Sequence, residues 1–155
     1  MKLFGNEWEK YFPENFEYRG RFIFNWFSNM ILCPIKHDGI IYSCVESYYQ
    51  AQKTLDIEKR KSIALMTGKE AKRYISNLYR KDWPEVKIDI MRYGLNQKWN
   101  QEPFRSQLLA YQGRIIEWNN WNDTFWGVSI HTKEGQNHLG LLLEEIRENL
   151  KRENI

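Results

Sequence analysis

Ten residues, CVESYYQAQK from Cys44 to Lys53, place an acid, a phenol, an amide and an amine at helical spacing: Glu46, Tyr49, Gln50 and Lys53. No Gly or Pro interrupts the stretch, and at the helical repeat these four side chains share one stripe. A buried stripe should carry Leu and Ile, and an exposed one should not carry this many aromatics. A carboxyl beside aromatic rings is partly desolvated, which raises its pKa and suits it to proton transfer, while an adjacent amine lowers that pKa again. A solvated ion pair between Glu46 and Lys53 accounts for the same spacing. The aromatic neighbours weigh against it.

Three further groups carry matching chemistry. Trp83, Lys87 and Met91 share a face near a helix start, where backbone amides and an ammonium favour an anion such as phosphate; a core Trp with a snorkelling Lys is the plain alternative. Asp123, Trp126 and Gly127 lie on a tight loop, NDTFWG, that also reads as an Asx turn around a buried Trp. Asn137 sits at a helix cap and need do nothing more than cap. His37, His131 and His138 are scattered among turn residues and read as surface histidines. There is no P-loop, dinucleotide glycine fingerprint, HExxH or Cys/His cluster, so neither a metal nor a cofactor is implied.

Elements must position these groups. Residues 16–27 read as one or two short strands, 28–39 as a loop with Pro34 and Asp38-Gly39 turn signals, and 40–42 as a strand. Ser43 is the natural N-cap for a helix over 44–53, and Asp56 caps a second over 57–65. Thr67 and Glu70 form a capping box for a third helix over 68–79. Trp83-Pro84 opens a fourth that runs to about 100, with Trp83 at the cap and Pro84 first in the helix. A fifth begins near Pro103 and stops at Gly113. RIIEWN and WGVSIH read as strands. The last helix, 137–150, sets Leu139, Leu142, Leu143, Ile146 and Leu150 on one core-facing stripe. The pattern predicts an α+β fold, mainly helical with a small β-sheet, as one domain over 1–155 with its core at 16–150.

The 155 residues suffice for a sizeable core, and a net charge of +3 is too weak to argue nucleic-acid binding by itself. Aromatic residues make up 15%, a density that often serves flat ligands as well as packing. Cys33 and Cys44 show no metal spacing and no disulfide framework, which fits a reducing cytoplasm. The start, MKLFGNEWEKYF, has no apolar h-region, and no long apolar run follows. Neither secretion nor a membrane span is expected.

The segments FSN (27–29), CPI (33–35), DG (38–39), YSCVESYYQAQK (42–53), WPEVKIDIM (83–91), KWNQEPF (98–104), DTFWG (123–127) and GQNHLGLLLEEIR (135–147), in that order, resemble the YbiA-like or NADAR superfamily. The resemblance spans about 16–150. Ser47 stands where the family commonly has His, and Gln112-Gly113 replaces Thr-Gly. The resemblance implies an N-glycosidase that breaks a bond between ribose C1 and an exocyclic nitrogen. The substrate is then a small phosphorylated ribosyl compound, such as a riboflavin-pathway ribosylaminopyrimidine phosphate, or ADP-ribosylated guanine in nucleic acid. It implies Glu46 as principal acid/base, Lys53 as its partner or as a Schiff-base nucleophile, and Asp123 as an aid to the ribosyl cation. Asn29, Tyr49, Trp83, Lys87, Met91, Trp126, Gly127 and Asn137 are then substrate-binding, and Glu46, Lys53, Trp83, Lys87, Asp123, Trp126 and Asn137 are expected to line one cleft. The rival reading is a non-catalytic binding module for ADP-ribose or NAD-related ligands.

Overall fold

The structure, a computed structural model, describes residues 16–18, 21–23, 26–75 and 80–154. The chain divides into two compact units, Asn29–Gln101 and the combination of Met1–Ser28 with Glu102–Ile155.

The unit Asn29–Gln101 is built around one short helix. Strands β1 (Phe16–Tyr18) and β2 (Arg21–Ile23) belong to the other unit, so this one begins with β3 (Ile35–His37) and β4 (Ile40–Tyr42). These pair antiparallel, with Ile35 opposite Tyr42. Asp38-Gly39 makes the turn, both residues at positive φ (49° and 75°), as a tight hairpin requires. Sequence reading placed 28–39 in a loop and missed β3. Three residues are too few to show an alternation, and their pairing is completed from outside the strand. Lys36 N–H donates to Gln97 Oε1 at 2.7 Å, the Gln97 amide donates back to the Lys36 carbonyl, and Tyr93 Oη donates to the same carbonyl.

Helix α1 (Val45–Ala51) packs against α2 (Ile57–Ala64), α3 (Gly68–Tyr74) and α4 (Trp83–Trp99). Ser43 is not its N-cap. Cys44 is, in a capping box with Ser47, while Ser43 Oγ donates to the Met66 carbonyl at 2.6 Å. Asp56 caps α2, and Thr67 with Glu70 caps α3, as the sequence indicates. The remainder of the third predicted helix, 76–79, lies outside the described residues. Helix α4 begins one residue early, with Asp82 at the cap, Trp83 first and Pro84 second. Val45, Tyr48, Ala51, Ile63, Ala71, Leu95 and Trp99 form the buried core.

In the other unit, β1 pairs antiparallel with β2, α5 spans Phe104–Ala110, and β5 (Trp118–Asn119) pairs parallel with β6 (Val128–Ser129). The β-structure of the described residues is thus three two-stranded pairs rather than one small sheet. Helix α5 ends at Ala110 with Tyr111 as an extended cap, short of the stop expected at Gly113, which has φ 97°. Helix α6 (His138–Glu153) buries the predicted stripe of Leu139, Leu142, Leu143, Ile146 and Leu150. No helix among the described residues is long and apolar enough to cross a membrane. The α+β, mainly helical class is as the sequence predicts.

Gly140 fixes how α6 meets the preceding chain. A Cβ there would lie 2.0 Å from the Ile115 carbonyl oxygen, a backbone atom that cannot swing aside. Overpacking of this kind costs about 1–3 kcal/mol or more. Gly140→Ala should lower Tm by at least ~4 °C in a thermal melt. An unchanged melt would contradict the close approach.

Candidate functional site

Glu46 is wedged rather than free to wander. Its N–H donates to the Asn29 carbonyl at 3.0 Å, which ties the start of α1 to the preceding loop. One turn on, Gln50 Nε2 donates to Glu46 Oε1 at 2.8 Å. Gly68, the first residue of α3, faces the stem of Glu46: a Cβ at Gly68 would lie 3.0 Å from Glu46 Cβ and 2.7 Å from Met30 Sδ. Glu46 is half-buried, while Tyr49, Gln50 and Lys53 are buried. The stripe read from the sequence is therefore a wall of the unit rather than a solvated face.

Lys53 lies beyond the helix. α1 ends at Ala51 with Gln52 as its cap. Two backbone bonds hold the turn, from Lys53 N–H to the Gln50 carbonyl at 3.2 Å and from Arg80 N–H to the Lys53 carbonyl at 2.7 Å. The side chain, 9% exposed, sets Nζ 5.5 Å from the Tyr49 ring centre and 5.7 Å from that of Trp83. Those rings pack at 5.0 Å with a 56° tilt. Burial pushes the Lys53 pKa below the ordinary lysine value of 10.5; Glu46 pulls it back up, and the ammonium groups of Lys72 and Lys87 push it down again. A lysine that sheds its proton more readily is a better nucleophile and a better proton acceptor. The unfolded chain holds this proton up to about its ordinary pKa, so Lys53 costs stability while charged in the fold. That cost is relieved as pH rises through the lowered folded value toward 10.5.

The remaining predicted residues of this unit have mixed placements. Asn29 Nδ2 donates to Met91 Sδ at 3.7 Å, so Met91, 3% exposed, backs Asn29. Asn29 Oδ1 and Gln50 Oε1 are buried without a hydrogen-bond partner. Each such oxygen costs about 1–3 kcal/mol. Trp83 is buried against Tyr49. Lys87 is half-buried on α4. The start of α4 is not an amide cradle for phosphate. Trp83 N–H donates to the Arg80 carbonyl, Pro84 has no N–H, and Glu85 and Val86 both donate to the Asp82 carbonyl. Sequence reasoning missed Lys72, on α3, whose charge reaches Lys53. It left Gln50 without a role and did not single out Gly68.

Asp123, Trp126, Gly127 and Asn137 belong to the other unit. Asp123 Oδ1 accepts from Phe125 N–H at 3.0 Å and Trp126 N–H at 2.9 Å, an Asx-type turn. Trp126 meets Phe125 edge to face at 4.9 Å. The Gly127 carbonyl accepts from Asn137 N–H at 3.3 Å. Asn137 precedes α6 in the left-handed region at φ 55°, but its side chain does not cap the helix. Instead its Oδ1 accepts from Glu117 N–H at 3.0 Å and its Nδ2 donates to the Ile115 carbonyl at 2.8 Å, clamping the 115–117 segment. His138 N–H and Leu139 N–H, at the start of α6, donate to the Phe125 and Trp126 carbonyls. Two of the three histidines are not plain surface groups. His37 packs against Tyr48 and Tyr93, and His138 lies 4.4 Å from the Phe125 ring. Among the described residues no three His, Cys, Asp or Glu side chains gather as a metal site.

The contact between Gly68 and Glu46 gives a direct test of the wedge. In Gly68→Ala the new methyl displaces Met30 and Glu46 by a few tenths of an ångström, while the backbone, at ordinary helical φ, accepts Ala. The protein should stay folded by circular dichroism and show altered Glu46 side-chain NMR shifts. Unaltered Glu46 resonances would contradict the packing.

The NADAR domain family matches residues 12–151 of this chain. N-glycosidase YbiA of Escherichia coli is 40% identical over 129 residues, covering 80% of each chain. The NMR structure of E. coli YbiA superposes with a TM-score of 0.74 at 38% identity, covering 84% of this chain and 80% of that one. A riboflavin biosynthesis protein of Vibrio vulnificus is 30% identical across 80% of this chain and 35% of its own length. With a domain match over nearly the whole sequence and a solved structure of the same fold, the chain belongs to the NADAR domain family.

Proposed function

We propose that this chain is an N-glycosyl hydrolase that cleaves a ribosyl C1–N bond to an exocyclic amine of a phosphorylated, nucleotide-like substrate. The observation that carries the reading is the Lys53 amine, buried against Tyr49 and Trp83 in the electrostatic field of a Glu46 whose carboxylate is held by Gln50. The N-glycosidase names of relatives such as YbiA support it.

Charge builds on the sugar and the leaving nitrogen as this bond breaks, so the site must move protons. Glu46, as acid, gives a proton to the ribose ring oxygen. The C1–O bond breaks, and the nitrogen lone pair forms a C1=N iminium. Water adds to C1 and returns a proton to Glu46, which passes it to the nitrogen as the C1–N bond breaks. The amine departs, the C1 hydroxyl gives its proton back to Glu46 as the aldehyde forms, the aldehyde closes to ribose, and one water is consumed. In a covalent variant the neutral Lys53 amine adds to C1 in place of water. The amine of the base leaves, and water then hydrolyses the Lys53 imine.

Phosphate fits the positive field that Lys72 and Lys87 project onto Lys53, and Lys87 is its assigned ligand. Asn29, whose backbone carbonyl accepts from Glu46 N–H and whose side-chain oxygen is buried without a partner, is the assigned contact for a substrate N–H donor. The Vibrio relative's name favours a ribosylaminopyrimidine phosphate as substrate. ADP-ribosylated guanine offers the same bond. Two buried free cysteines suit a reducing cytoplasm.

Each substrate should be incubated with the protein and the release of free amine followed by mass spectrometry. Release from at least one is expected, and kcat in Glu46→Gln should fall at least ~100-fold. The variant should still bind ligand and lose less than ~1 kcal/mol of stability. Binding of both compounds without cleavage of either would overturn the enzyme reading in favour of a binding module.

A further inference from the structure

We propose that Gln50 is a positioning residue for Glu46, holding one carboxyl oxygen so that the acid/base is aimed before substrate arrives. The inference rests on the acid/base reading of Glu46. Gln50 is 3% exposed and uses only one end of its amide. Its Nε2 donates to Glu46 Oε1 at 2.8 Å, and its own Oε1 is buried without a partner. An amide retained for stability alone would satisfy both ends, because an unpaired buried carbonyl forfeits its hydration for nothing. The reversed amide would set two acceptor oxygens against each other, so the donor end must face the carboxylate. Gln50 also lies one helical turn from Glu46 on a helix that α2, α3 and α4 enclose, which limits both rotamers. Glu46 acts electrostatically on Lys53, past the end of α1, which also feels Lys72 on α3 and Lys87 on α4. Gln50 supplies a neutral donor. It fixes orientation, which a diffuse positive field cannot do.

Gln50→Met keeps the volume, removes the donor and removes the orphan carbonyl. The Glu46 carboxyl should then titrate at higher pH by carbon-13 NMR, because a hydrogen bond to the charged form is lost. The limb of the kcat–pH profile that Glu46 governs should move up with it. At the optimum kcat should fall ~10–100-fold with KM nearly unchanged, while Tm holds or rises. A lowered Tm with unchanged kcat, pH profile and Glu46 titration would overturn the proposal and leave Gln50 a packing residue.

Should Gln50→Met fail to fold, Gln50→Glu keeps the shape and sets two carboxyls within hydrogen-bond distance. The pair then retains one proton to higher pH, and the profile should move up further. An unmoved profile there also overturns the proposal. The two failures separate cleanly. Absence of turnover by the wild-type protein on both ribosyl substrates overturns the parent reading, whereas normal turnover with an unshifted Glu46 in Gln50→Met overturns the role of Gln50 alone.

Discussion

Keeping the Lys53 ammonium out of water is the constraint around which this unit is arranged. A buried lysine is costly unless its surroundings compensate or it gives up its proton. Compensation here is partial. Two aromatic faces and one carboxylate favour the charge, while burial and two neighbouring lysines oppose it. The balance leaves an amine that loses its proton more easily than a solvated one. Such a balance is hard to explain by stability, since an apolar side chain would fill the same space without the penalty. It is what a nucleophile or proton acceptor at neutral pH needs.

The short helix α1 is the device that makes the balance possible. Its seven residues are too few to be stable alone, so its geometry is imposed by the elements on three sides. The capping box at Cys44 fixes where the helix starts and hence where Glu46 points, and the bond from Arg80 to the Lys53 carbonyl fixes the turn where it ends. Two buried oxygens without hydrogen-bond partners, on Asn29 and Gln50, are tolerated in this unit.

The sequence displayed the chemistry better than the geometry. Glu46, Tyr49, Gln50 and Lys53 were visible as one stripe because the helical repeat is a strong local signal. The extent of the helix was not, since Lys53 sits beyond it in a turn set by the distant Arg80. β3 was hidden because its edge is completed by Gln97 and Tyr93, some sixty residues away. Asn137 looked like a cap, but a left-handed backbone turned its amide toward Ile115 and Glu117. The amides at the start of α4 looked available to phosphate, yet the carbonyls of Arg80 and Asp82 occupy them. In each case the missing information was a long-range or backbone partner, which no window of sequence contains. The α6 stripe and the caps at Asp56 and Thr67 were legible because they are local.

The most direct test of the account is the titration of the Lys53 side chain by NMR, in the wild-type protein and in Glu46→Gln. The account requires a wild-type pKa below the ordinary 10.5, because burial outweighs the pull of Glu46. It requires a still lower value in Glu46→Gln, because the opposing carboxylate charge is gone. A Lys53 that titrates at the ordinary value in both proteins would contradict it.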